Sequence, residues 1–245
     1  MYNDALRYGV STHLFHRQRL ARNHLLDIAA HGFETVEVFA ARSHFDYHNP
    51  AAIADLQQWL GEAGLEVDRL AVPPPAAGTG GADAGEAEQA LLVGRRIPMT
   101  ALVVPVGPPR EAVRLVEALA EVARPLGITI AVDSRSASMT PIGSLVHFVD
   151  TVSERVEARI GICLDFAAAE KAGDLVGAIE ASAEHLAGVR LPVESAIDWP
   201  AALTVVQKIG YEGTLVLDPA PYGAPRDALK KAQQARRRME KMLTM

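Results

Sequence analysis

Only one cysteine, Cys163, occurs in the 245 residues, and it sits inside an apolar run, so no internal disulfide can staple the chain. Long hydrophobic runs are missing too: no stretch approaches the roughly 18 residues that span a bilayer. The opening "MYNDALRYGV" lacks the basic start and apolar core of a secretory leader, and a cytoplasmic protein is expected. Positive charge is scarce: 24 Lys and Arg face 30 Asp and Glu, for a net charge of −6. That balance argues against nucleic acid as a partner, because phosphate binding needs clustered cations. A phosphate-cradling loop is lacking as well. "AAGTGGADAG" (76–85) is glycine-rich, but no lysine follows its glycines, so a loop or lid is expected there. With 49% hydrophobic and 22% charged residues, the chain has enough apolar mass for a sizeable core.

Short apolar runs alternate with amphipathic stretches from end to end. The strand-like runs are 7–12, 35–40, 66–73, 100–107, 128–134, 160–166, 186–192 and 214–219. Helical periodicity marks 49–64, 109–127 and 198–210; Asp198 reads as an N-cap, and Gly64, Gly127 and Gly210 as helix stops. Eight strand–helix units in about 250 residues is the arithmetic of a single (β/α)8 TIM barrel, here 1–245. A doubly wound open sheet is the alternative, but it rarely needs eight units. The last stretch, "RDALKKAQQARRRMEKML", is basic, yet Leu229, Ala232, Met239 and Leu243 form a core-facing stripe, so a solvated outer helix face is expected.

Strand alternation orients the polar residues. In 160–166, Ile162 and Leu164 point one way, while Gly161, Cys163 and Asp165 point the other. The same reading sends Asp133, Arg190 and Asp218 inward, so Asp133, Asp165, Arg190 and Asp218 should converge at the C-terminal mouth, where barrel enzymes keep their chemistry. Glu37 should also point inward. His13, His16, His44 and His48 fall in loops on the mouth face. His13 and His44, with Glu37 and Arg190, are the candidate contacts for a small polar ligand, although His44 could equally anchor its loop against Tyr47. His147 and His185 read as surface or packing residues.

"GFETVEVFAARSHFDYHNPAAIADLQQWLGEAGLEV", "GSLVHFVD", "GICLDF" and "IDWPAALTVVQKIGYEGTLVLD" resemble the xylose isomerase-like barrels, a group of sugar phosphate isomerases and epimerases that shares its fold with endonuclease IV. The resemblance implies a divalent metal at the mouth, held by a Glu, an Asp, a His and a second Glu, polarising a sugar oxygen while a proton moves. Measured against that pattern, most positions differ. Ala71 stands where the third strand usually has His, and Pro105 takes the fourth-strand His position. Asp133 and Asp218 are shortened from Glu, Asp165 is retained, Ala168 lies near a missing His, and Arg190 replaces a seventh-strand ligand.

Losing a methylene draws a carboxylate back by more than the roughly ±0.2 Å that metal bonds tolerate. Losing the imidazoles removes the ligands that zinc-like ions favour. The resemblance thus implies a sugar isomerase/epimerase homologue with an eroded metal site that needs no cofactor and binds a sugar-like molecule or a partner. Arg190 would clamp Asp165 and one of Asp133 or Asp218. The alternative is an active enzyme that holds Mn or Mg on Asp133, Asp165 and Asp218 as metal ligands and catalytic groups. Self-association, or pairing with a related barrel, would suit a chain that had lost its chemistry.

Overall fold

Eight parallel strands close on themselves in the order β1 to β8, each hydrogen-bonded to the next and β8 back to β1. They are β1 (Tyr8–Ser11), β2 (Thr35–Phe39), β3 (Glu66–Ala71), β4 (Ala101–Val104), β5 (Thr129–Asp133), β6 (Ile160–Asp165), β7 (Leu186–Pro192) and β8 (Leu215–Asp218). The computed structural model describes residues 6–74, 81–136, 141–220 and 223–243. The first half of the glycine-rich stretch 76–85 lies outside the described residues.

The helices are α1 (Arg22–Ala30), α2 (Pro50–Ala63), α3 (Ala84–Leu92), α4 (Pro109–Leu126), α5 (Ile142–Ser153), α6 (Phe166–Lys171), α7 (Leu175–Ser182), α8 (Trp199–Lys208) and α9 (Pro225–Leu243). Gly64 and Gly127 close α2 and α4 with φ of 66° and 67°, a left-handed conformation that only glycine adopts without strain. Asp198 caps α8 by accepting from the Ala201 amide at 3.2 Å. The basic final helix turns Leu229, Ala232 and Met239 inward, with Leu243 packed against the core. One element departs from the sequence reading: two helices, α6 and α7, follow β6 where a single one was expected.

Two separate apolar layers reflect the period-2 alternation. Ile130, Val132, Ile162, Leu164, Val189, Leu215 and Leu217 belong to the large core between strands and helices. Ala71, Ala101, Val103, Ala131 and Cys163 form a second cluster inside the barrel. These inner side chains are small, and the room they leave is filled by charge: the two largest fully buried side chains among the described residues are Arg69 and Arg190.

Both arginines depend on irregular pairing. Between β2 and β3 the register slips so that Val36 pairs with Val67 and Glu37 with Arg69, passing over Asp68. Between β6 and β7, Ile162 pairs with Leu186 and Cys163 with Gly188, passing over Ala187. Because side chains alternate with period 2, one extra residue changes which set faces the lumen. The two irregularities bring Arg69 level with Glu37, and Arg190 level with Asp165.

Candidate functional site

Glu37 is the hub of the lumen. It is 1% exposed, and four side-chain groups donate to its two oxygens. Ser11 Oγ and Arg190 Nε reach Oε1 at 2.9 and 3.2 Å; Arg69 Nε and Arg190 Nη2 reach Oε2 at 2.8 and 2.9 Å. Burial alone would raise its pKa, but Arg190 and Arg69 outweigh burial and hold the carboxyl well below the usual range. Arg69 spends its remaining donors on Asp68 Oδ2 at 3.1 Å and the Val189 carbonyl at 2.7 Å. Such a fully desolvated charge cluster persists only because each guanidinium nitrogen of Arg69 and Arg190 meets an acceptor.

One layer toward the mouth, Asp133 receives the Arg135 amide at 2.9 Å and the Arg135 guanidinium at 2.6–3.1 Å. Arg190 Nη1 adds a longer contact at 3.4 Å. Burial raises this carboxyl as well, yet Arg190 and Arg135 bring it net below its ordinary value. Asp165, on the neighbouring strand, does different work. Its Oδ1 accepts the Ala168 amide at 2.9 Å and so caps α6, while Oδ2 lies 3.9 Å from Arg135 and 4.0 Å from Arg190. Burial raises its pKa, and the two distant arginines offset this only in part. The sequence placed Asp165 at the centre of an Arg190 clamp; the structure makes Glu37 the two-pronged partner, with Asp133 second and Asp165 at the margin.

Asp218 closes the mouth at the end of β8. Its Oδ1 is buried without a hydrogen-bond partner among the described residues, and 19% of the side chain remains exposed. Burial pushes its pKa up to about 6, against the opposing pull of Arg190. His13 Nδ1 lies 3.9 Å from that oxygen, and burial, reinforced by His16 and Arg135, brings the imidazole down to about 4. A carboxyl poised near neutrality beside an uncharged imidazole can give and take a proton at physiological pH. The His13 ring packs 4.6 Å from Phe39 and 5.0 Å from His16.

The other histidine expected to meet a ligand is placed differently. His44 is 1% exposed, with Nδ1 2.7 Å from the Gln18 carbonyl and Nε2 3.1 Å from Thr12 Oγ1. Both ring nitrogens are occupied, so His44 anchors two loops to each other; its partners are Gln18 and Thr12 rather than Tyr47. Tyr47 and His48 both reach Glu86 of α3, at 2.6 and 3.2 Å. Next to this patch a cleft of about 630 Å³ opens off the axis, bordered by Ala40, Tyr47, Val72, Asp83, Glu86 and Gly107. It contains none of Asp133, Asp165, Arg190 or Asp218, so the charged mouth and the cleft are separate features.

Sequence reasoning missed Arg69 and Arg135. Arg69 stood in view, between Val67 and Ala71 on alternate positions of the third apolar run. Arg135 lies in the turn past β5, where no periodicity marks a direction.

A divalent ion does not fit these residues. Among the described residues no group of three or more His, Cys, Asp or Glu side chains is arranged to hold a metal. The oxygens of Asp133 already face two guanidinium groups, one oxygen of Asp165 caps a helix, and Ala71 and Pro105 offer no ligand atoms. An ion placed among the acids would have to displace Arg190 and Arg135, whose positive charge stands in the same space.

The fold invites comparison with known proteins. Over nearly its full length the chain superposes on a D-psicose 3-epimerase from Clostridium cellulolyticum H10 in complex with D-tagatose. The TM-score is 0.79 at 15% identity, covering 97% of this chain and 99% of that one. A xylose isomerase domain protein from Planctomyces limnophilus superposes with a TM-score of 0.74 at 16% identity over 100% of both chains. An AP endonuclease, family 2, from Brucella melitensis gives 0.71 at 19% identity over 91% of this chain and 97% of that one. No curated protein matches the chain by sequence. Identities this low speak for the fold alone, but the sequence profile of one family matches residues 25–242, nearly the whole barrel. The chain belongs to the xylose isomerase-like TIM barrel family.

Proposed function

We propose that this barrel binds a small polyhydroxylated, sugar-like molecule at its mouth and does so without a divalent ion, arginines supplying the positive charge. The observation that carries the reading is Arg190, held 2.9 Å from Glu37 and 3.4 Å from Asp133 at the centre of the lumen. Metal-dependent isomerisation needs a cation that polarises the substrate oxygen and open coordination positions around it. Here the central cation is a guanidinium whose donors are committed to buried carboxylates, so it fixes the site rather than activating a substrate. The chain is thus a sugar isomerase/epimerase homologue whose ancestral chemistry has been lost and whose mouth has been kept. Family membership, and the likeness to an epimerase crystallised with D-tagatose, favour a sugar-like ligand.

The test is metal content after soaking in manganese and desalting, paired with melting curves in manganese and in chelator. No retained ion and no chelator effect are expected. About one tightly held ion per chain, with a melting temperature that chelator lowers, would overturn this reading in favour of catalysis on Asp133, Asp165 and Asp218.

A further inference from the structure

Charge is unevenly spread over the outer wall of the barrel. Residues 225–243, the final helix α9, hold seven Lys and Arg against two Asp and Glu, a net of +5. That leaves −11 on the rest of a chain whose net charge is −6. Leu229, Ala232 and Met239 turn inward, so Lys230, Arg237, Arg238 and Lys241 face outward, and all four are exposed. Lys231 meets Glu194 of its own chain at 3.2 Å, whereas Lys230, Arg237 and Arg238 make no ion pair among the described residues.

Two helices away the sign reverses. α7 packs on α8, and α8 on α9. Glu170 of α6, Asp174 at the start of α7, and Glu180 and Glu184 toward its far end are all exposed; Glu180 is paired with Lys208 at 2.9 Å. Between the two strips α8 exposes Pro200, Thr204 and Gln207, none of them charged. Independently of charge, the exposed large hydrophobic side chains among the described residues are Val176 of α7 and Met242 of α9, each 39% exposed. Both lie on this wall.

We propose that the wall formed by α7, α8 and α9 is where two copies of this chain pair, about a two-fold axis running along α8. Rotation about that line lays the basic α9 of each copy over the acidic α7 of the other. Complementary strips then meet twice, and the uncharged faces of α8 meet at the axis. An axis across the helices would instead set α9 against α9, like charge on like. Each of the three helices follows a strand that ends at the mouth, so all run the same way and the proposed axis keeps their ends level. Lys230 and Arg238, about 12 Å apart along their helix, then face Asp174 and Glu184, about 15 Å apart along theirs. Val176 and Met242 are covered by the same contact. A nucleic acid suits the wall less well, because its phosphates would meet the acidic strip about 20 Å from the basic one.

The experiment is sedimentation velocity on the intact chain, from about 1 to about 100 µM, in about 50 mM and about 500 mM salt. A dimer is expected at low salt and should weaken at high salt. The double variant Arg237→Glu, Arg238→Glu should weaken association about a hundredfold, and so should Glu170→Lys, Glu184→Lys, since each sets like charges face to face. An equimolar mixture of the two double variants should recover the dimer, because both of its contacts are complementary again; that recovery also shows that both variants fold. A wild type that stays monomeric throughout at low salt would overturn the proposal. So would a dimer that tolerates both reversals, or a mixture that stays monomeric while each variant melts like the wild type. Mass that grows without limit with concentration would mean head-to-tail contact and exclude the two-fold axis. A monomer that binds a short DNA duplex through Arg237 and Arg238 would assign the basic strip to a polyanion instead.

Discussion

Arg69 of β3 occupies the space that a side chain on Gly188 of β7 would fill. A Cβ built at Gly188 falls against the Arg69 guanidinium, well inside van der Waals contact. Gly188 is therefore small because a long, charged side chain from four strands earlier in the sequence crosses the lumen at its level. That crossing lets Arg69 donate both to Glu37 and to the Val189 carbonyl.

Gly188→Ala should accordingly destabilise the barrel by about 1–3 kcal/mol, as overpacking does in a filled interior. The penalty should shrink in an Arg69→Lys background, because the slimmer ammonium can yield. Urea unfolding of the two single variants and the double variant measures this coupling. Equal penalties in both backgrounds would show that the crowding lies elsewhere.

Arg190 and Glu37 form the buried pair on which the inner layer depends. Arg190→Met leaves Glu37 and Asp133 short of a cation in a desolvated site, and a loss of about 3–5 kcal/mol is expected. The double variant Glu37→Gln, Arg190→Met should recover part of that loss, because a neutral amide needs no counter-charge. Denaturation midpoints check both. A loss under 1 kcal/mol for Arg190→Met would mean that Arg69 and Arg135 suffice alone.

Much of this architecture was legible in the sequence, and what was not has a physical reason. Period-2 alternation put Ile162 and Leu164 outside and Asp165 inside, and it carried Asp133, Arg190 and Asp218 to the mouth. It could not show that Asp68 and Ala187 are passed over in their ladders, since register is a property of strand pairs. The slips set Arg69 beside Glu37 and Arg190 beside Asp165, yet the Arg190 guanidinium reaches across the lumen to Glu37, a contact that neither strand sequence nor register shows. The short helix α6 had a local signal: an aspartate followed by an alanine-rich run is a capped start.

The capping role of Asp165 makes its own prediction. Asp165→Ala removes the acceptor for the Ala168 amide and should cost about 1 kcal/mol. Asp165→Asn keeps an oxygen there and should cost a few tenths. Thermal melts at pH 7 separate the two. If Asn proves as damaging as Ala, then the charge facing Arg190 and Arg135, rather than the cap, is what the position requires.

Asp218 gives the stability curve a definite slope. Its pKa rises from 3.8 to about 6 on folding, because burial disfavours the carboxylate more than Arg190 supports it. The folded state therefore binds this proton more tightly than the unfolded chain does. Its contribution to stability declines as pH rises from about 4 to about 6 and stays reduced above that. Glu37 and Asp133 have lowered pKa values and act in the opposite sense: their stabilisation is complete above the unfolded carboxylate range and fades as pH falls below it. Those two groups are shared by the wild type and Asp218→Asn, so comparing the proteins cancels them and isolates position 218. The variant should be more stable than the wild type at pH 8 by on the order of 1–3 kcal/mol, since one pKa unit corresponds to about 1.4 kcal/mol. The difference should close as the pH approaches 4. Urea unfolding at pH 4, 6 and 8 reads it directly. A difference that does not vary with pH would show that the buried carboxyl has found a partner, and that its proton is held no more tightly than in the unfolded chain.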